Sequence, residues 1–300
     1  MKIIIFLVVF TRVLFSVGHA KLMVVCALPD FADIAKNIGG QFVEVSAVAK
    51  GNEDPHFIDP KPSFIARLAH ADLAVVNGME LDQWMDYLIE NSRNPRIQKG
   101  QSGYLDASVG IPILDIPTEL TRAKGDLHPQ GNPHYMLNPL NGVRVADTMQ
   151  KRLAALDPQH AAYFQANFRT YSALLNQKQL EWKKLLDGLK DRRVITYHRN
   201  WTYFADAFNL ELVGELEPKP GITPPPSHMV ALSQKIAREK IKVIIIDPFH
   251  SSAEGECFQK DNPRLQVLVL PSASGGDAQT ASYNAMFDYN VRVLYAALKD

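Results

Sequence analysis

PQHAAYFQANFRTYSALLNQKQLEWKKLLDGLK, residues 158–190, holds no glycine before Gly188 and no proline after Pro158. Its apolar residues Phe164, Phe168, Tyr171, Leu175, Trp182, Leu185 and Leu189 recur at steps of three, four and seven. That spacing lines one face of an α-helix. The expected helix runs for roughly 33 residues, about 50 Å at 1.5 Å per residue, too long to hide in either half of the chain. A coiled coil is disfavoured, because the a/d pattern is not sustained over several heptads. The segment is read as a spine, residues 157–191, joining a first lobe, residues 21–156, to a second, residues 192–300.

Short runs rich in Val, Ile and Leu lie on both sides of the spine. Leu22–Ala27, Phe42–Val48 and Leu73–Asn77 precede it, and Val194–Tyr197, Leu212–Leu216, Val243–Ile246 and Val267–Leu270 follow it. Amphipathic stretches separate them, the pattern of parallel sheets covered by helices. The expected fold class is α/β, with two lobes that each carry a parallel-type sheet flanked by helices, joined by one long backbone helix. One helix is expected to start near Asp30 with an acidic cap and to stop at Gly39-Gly40. Ser63 is expected to cap another, with Ile65, Leu68 and Ala69 on one face.

Composition excludes some functions. Of the 300 residues 46% are hydrophobic, enough for one or two real cores, and 32 basic residues balance 32 acidic ones. No basic excess points to nucleic acid. Lys2, the apolar run Ile3 to Phe10 and the small residues of Gly18-His-Ala20 have the order of a secretory signal peptide, with Arg12 an interruption. Cleavage is expected after Ala20. Removal of Lys2 and Arg12 leaves 30 basic residues against 32 acidic. The two cysteines, Cys26 and Cys257, fall in different lobes and are read as free thiols, since a disulfide needs Cα atoms within about 7 Å. The Leu-Met-Val-Val before Cys26 lacks the small residue of a lipoprotein cleavage site.

Three of the nine histidines sit in distinctive contexts: His56 in GNEDPHFIDP, His134 in GNPHY and His198 at the end of RVITYH. Polar groups where apolar strands stop are where open α/β sheets collect ligand-binding residues. His56 and His134 each follow a proline, which restricts the local backbone and aims the side chain. Asp277, in the loop SASGGD, is the fourth candidate, and His with Asp suits a transition metal. His128 lies six residues before His134 and is a candidate auxiliary ligand. His70, His160, His228 and His250 read as helix or loop residues.

Taken together, DPH followed by PKPS, then NPHYMLNP, then an apolar strand ending in His198 with Tyr203-Phe204 soon after, resemble the zinc/manganese substrate-binding proteins of bacterial ABC importers. The resemblance covers nearly all of residues 21–300. It implies a two-lobed periplasmic protein, bridged by a backbone helix, that captures a divalent metal and hands it to a membrane permease. By that resemblance His56, His134, His198 and Asp277 match the four ligand positions. Met136 stands where the family often has an aromatic, Asn138 where it often has Asp, and Phe64 where an acidic residue often follows the serine. The long His-rich loop of some zinc-specific members is missing, since residues 118–130 hold only His128.

Three imidazoles and a carboxylate suit Zn²⁺, while Mn²⁺ prefers more oxygen ligands. Manganese members of the resembling family tend to carry an acidic residue at the position of His198. Zinc is therefore expected, with manganese the alternative. Affinity is expected to fall below about pH 6.5, where imidazoles protonate. A metallohydrolase would need an open coordination position and a general base, and no His-Glu-x-x-His helix is present. A carrier for an organic solute would line its cleft with residues such as Trp201 and Tyr203. The expected partners are the permease and a periplasmic metallochaperone, and the expected state is a monomer.

Overall fold

A computed structural model describes residues 20–119, 128–219 and 221–299. The expected signal segment, up to residue 19, lies outside these. In the first lobe β1 (Leu22–Cys26), α1 (Pro29–Gly39), β2 (Val43–Ala47), α2 (Pro62–Ala69), β3 (Leu73–Val76), α3 (Gln83–Asn91) and β4 (Tyr104–Asp106) build a sheet of order β2-β1-β3-β4, parallel throughout. Then α4 (Pro139–Leu156) leads into the spine, α5 (Ala161–Asp187). The second lobe repeats the scheme with β5 (Arg193–Thr196), α6 (Thr202–Phe208), β6 (Glu211–Glu215), α7 (Pro226–Glu239), β7 (Val243–Ile246), α8 (Ala253–Glu256) and β8 (Gln266–Val269), in the parallel order β6-β5-β7-β8. The chain closes with α9 (Tyr283–Leu298). In both sheets the chain goes first to one side of the opening strand and then to the other, so β1/β3 and β5/β7 are the switch points where such sheets take ligands.

The spine is shorter than its sequence suggests. Pro158–His160 is a 3₁₀ turn, and the α-helix proper covers 27 residues, about 40 Å. Its buried line runs Phe164, Tyr171, Leu175, Trp182 and Leu186, while Leu185 is exposed. With 3.6 residues per turn, the step after Trp182 is four and not three. The helix touches both lobes: Asn167 Nδ2 donates to Ile38 O at 2.9 Å, and Trp182 Nε1 donates to Asp288 Oδ1 of α9 at 2.8 Å. One continuous core carries Phe31 and Val75 of the first lobe together with Phe204 and Phe287 of the second. A smaller core around Ile195, Ile244 and Phe258 lies on the other face of the second sheet.

Two helix starts differ from expectation. Pro29 and Pro62 take the first helical positions of α1 and α2, and neither Asp30 nor Ser63 caps. Proline has no N–H to satisfy there, so it starts a helix without a side-chain acceptor. Asp30 is buried instead, and its Oδ1 crosses the lobe boundary to accept from Ser274 N at 2.7 Å and from the Ser274 hydroxyl. The strand β4 escapes sequence reading because three residues are too few to show alternation. Among the described residues no helix is long and apolar enough to cross a membrane. Cys26 is buried in β1 and Cys257 is exposed, and both are free.

Beside the Asp30–Ser274 contact the lobes meet backbone to backbone. A Cβ on Gly51 would lie 2.1 Å from Ser274 O and 2.4 Å from Gly276 N. Backbone on both sides cannot give way as a side-chain tip can. Gly51→Ala is therefore expected to destabilise the fold by about 1–3 kcal/mol. Gly188→Ala, whose new Cβ meets nothing nearer than Leu185 O at 3.4 Å, serves as the neutral reference in thermal melts. Equal melting temperatures for the two variants would refute the close approach.

Candidate metal centre

Three of the four expected ligands meet in the cleft. One ring nitrogen from each of His56, His134 and His198 lies within 4.8 Å of the other two, and the ring centroids are 5.1 to 5.5 Å apart. His56 comes from the loop after β2, His134 from the segment before α4, and His198 from two residues past β5. The facing carboxyl ends of the two sheets thus each supply part of one site.

Two of the rings are aimed by carboxylates. Asp54 Oδ1 lies 2.7 Å from His56 Nδ1 and accepts the His56 amide at 3.0 Å. Glu217 Oε2 lies 2.5 Å from His198 Nδ1, and its Oε1 accepts Gly221 N at 2.8 Å. A carboxylate on Nδ1 fixes the proton there and leaves the Nε2 lone pair for an ion. Burial pushes the Asp54 carboxyl up, but its hydrogen bonds with His56 outweigh this and hold it below the usual carboxylate range. Asp54→Asn and Glu217→Gln are each expected to weaken divalent-metal binding by about 10–100-fold, as lost outer partners of metal-bound imidazoles do. A competitive chelator titration reads this, and unchanged affinity would contradict the aiming role.

His134 carries the sharpest signal. Its Nε2 is buried with no hydrogen-bond partner, an arrangement costing about 1–3 kcal/mol. An ion among the three rings would supply the missing partner, so the residues fit a metal. Its segment is fixed from both lobes. Asn132 Oδ1 accepts His134 N at 3.0 Å, Asn132 Nδ2 donates to Arg199 O at 2.8 Å, and Tyr203 OH donates to Asn132 O at 2.9 Å. Tyr203 and Trp201 are each 1% exposed, so they pack in the core and do not line a solute cleft.

Burial, and after it the His56, His198 and His128 rings, hold the His134 imidazole well below its ordinary range. His134 therefore stays neutral in the fold while the unfolded chain takes up a proton below about pH 6.5. As pH falls through that value this residue subtracts stability, by up to about 1.4 kcal/mol per pH unit. Burial pushes the carboxyls of Asp30 up to about 6 and Asp82 up to about 7, with the opposite sign, so the effect is read as a difference between proteins that share them. Metal-free His134→Gln is expected to gain stability relative to metal-free wild type between pH 7.5 and 5. A constant difference in melts across that range would count against it.

Asp277 does not join the cluster. It is exposed, its Oδ1 accepts Gln279 N at 2.8 Å, and its backbone N–H donates to Thr280 Oγ1 at 2.9 Å. The carboxylate is used in closing its own turn, as aspartates in loops commonly are. From the same segment Ser272 lines the pocket in its place, beside Asn200 and His250. His250, read from sequence as a plain loop residue, stacks on Tyr197 with centroids 3.8 Å apart. His128 stands beside the trio, its Nε2 3.3 Å from that of His56. Asp54 and Glu217, which hold the His56 and His198 rings, were not singled out from sequence. Their signals were present, a carboxylate two residues before a ligand and another just past the end of β6. Asn138, where the family often has Asp, caps α4 by accepting Leu140 N at 2.9 Å.

Residues 24–297 match the family described as zinc-uptake complex component A, periplasmic (ZnuA). The metal ABC transporter substrate-binding lipoprotein ScbA of Streptococcus cristatus is 24% identical over 289 residues, 94% of this chain and 90% of that protein. The manganese ABC transporter substrate-binding lipoprotein PsaA of Streptococcus pneumoniae is 23% identical over 286 residues, 93% of this chain and 89% of its own. Among solved structures, a crystal structure of ZnuA shares the fold with a TM-score of 0.79 at 23% identity, over 93% of this chain and 99% of that one.

Proposed function

The chain belongs to the family of periplasmic zinc-uptake complex components, metal-binding subunits of ABC importers, and on that premise we propose that it captures Zn²⁺ between its lobes and delivers it to a membrane permease. The observation that carries this reading is the buried, partnerless Nε2 of His134 within reach of the His56 and His198 rings. His56, His134 and His198 are the proposed ligands. Manganese, named for the PsaA relative, is the second reading. Zinc is favoured because the converging atoms are imidazole nitrogens, and the two carboxylates that line the pocket, Asp54 and Glu217, are engaged with Nδ1 atoms.

The same engagement argues against hydrolysis. A catalytic zinc needs a general base to act on its bound water, and neither Asp54 nor Glu217 is free to be one. The proposed location is the periplasm, after loss of residues 1–20. Several relatives are named lipoproteins, but Cys26 is buried within β1, paired with Ala47 and Val75, a poor place for a lipid.

Elemental analysis of the purified protein, exposed to equal concentrations of zinc and manganese, tests the reading. About one zinc per chain is expected for the wild type, and a near-complete loss for His134→Ala and His198→Ala. Retention of manganese in preference to zinc would assign the other cargo. Full metal content in both variants would place the site elsewhere.

A further inference from the structure

Resting on the zinc reading above, we propose that the side-chain oxygen of Asn200 is the fourth donor to the ion, so that the site closes as three imidazoles and one neutral amide. Among the described residues that line the pocket around the three rings, two carry a buried polar side-chain atom with no hydrogen-bond partner: His134 at its Nε2 and Asn200 at its Oδ1. Asn200 is 1% exposed. The feature that marks His134 as a ligand is thus repeated once, on an oxygen.

The orientation of the amide follows from its neighbour. Asn200 Nδ2 donates to Asp247 Oδ1 at 2.9 Å. A carboxylate only accepts, so the nitrogen faces Asp247 and the oxygen is turned away from it. Asn200 lines the pocket and Asp247 does not, so turning away from Asp247 turns the oxygen toward the rings. The backbone is set with the same care. Asn200 lies two residues past His198, in the 3₁₀ turn Arg199–Trp201. Asn132 accepts from His134 N through its Oδ1 and donates to Arg199 O through its Nδ2, so one side chain holds the His134 segment and the Asn200 turn together.

Three carboxylates then play one part. Asp54 and Glu217 sit against the Nδ1 atoms of His56 and His198, and Asp247 accepts from Nδ2 of Asn200. Each contact fixes a side chain with its other polar atom free to bind, and makes that atom a better donor. All four donors are neutral, with the balancing charge one layer out. Asp247 Oδ2 is partnerless too, yet Asp247 stays behind the pocket wall to which Asn200 belongs, so the amide is the donor the ion meets first. Three nitrogens and one oxygen remain a set that zinc accepts as a tetrahedron.

Anomalous diffraction from crystals of the zinc-loaded full chain locates the ion, and competition with a chelating dye measures affinity. Asn200 Oδ1 is expected about 2.0–2.2 Å from the zinc. Asn200→Leu, which keeps the approximate shape without the oxygen, is expected to bind zinc about 100-fold more weakly, and Ser272→Ala, in the same pocket wall, within about twofold of wild type. Should Asn200→Leu fail to fold in metal-free melts, the wild-type distance decides alone. An Asn200 oxygen more than about 3 Å from the ion, with water or the carboxylate of Asp247 or Asp277 in its place, would overturn the proposal and leave the three-histidine site intact. A folded Asn200→Leu that binds within about twofold of wild type would do the same. Zinc found away from His56, His134 and His198 would instead overturn the reading on which the proposal rests.

Discussion

Lone pairs gathered out of water need a positive partner, and the cleft is organised around that constraint. The buried Nε2 of His134 has no hydrogen bond, although nearly every buried polar atom in a native protein has one. An ion that binds the folded form alone would offset that cost, because it returns its binding free energy as stability. The surrounding groups serve the same end. Asp54 and Glu217 keep protons on Nδ1 atoms, and burial keeps His134 neutral.

Such a site requires two lobes that do not drift apart, and the contacts between them are polar and specific. Asp115, in the first lobe, holds Arg199 at 3.2 Å and accepts Thr202 Oγ1 at 2.7 Å in the second. Tyr283, at the start of α9, donates to Met136 O at 2.5 Å, two residues from His134. Asp30 and Ser274 bond in a buried setting. With the shared core and the spine, these ties leave small sliding displacements as the available motion, in preference to wide hinge opening.

Much of this was legible in the sequence because local chemistry dictated it. The Pro-His pairs and the strand-terminal position of His198 singled out the three histidines that meet in the cleft, and the glycine-free amphipathic run announced the spine. What stayed hidden depends on tertiary placement. Asp277 follows two glycines in a loop and looks like a ligand, yet Thr280 and the Gln279 amide are near enough to close a turn with it. Asp30 sits where a cap belongs, but Pro29 removes the need for one and Ser274, 244 positions away, claims the carboxylate. The choice between Leu185 and Leu186 as the buried residue turns on a drift of a fraction of a residue per turn, which a list of intervals cannot resolve.

The three histidines are anchored unequally to the two lobes. His134 is tied to Asn132, and through it to Tyr203 and Arg199 in the other lobe, so its segment follows both halves and is a poor candidate for independent movement. His198 is close to the end of β5 and moves with its sheet. His56 sits in a longer loop, but Pro55 O accepts Trp84 Nε1 at 2.8 Å and anchors it to α3. Each ring is thus held by a contact outside its own loop, so a shift of one lobe against the other would change the distances among the three rings. A slide of about 1 Å would stretch bonds of about 2 Å well beyond coordination.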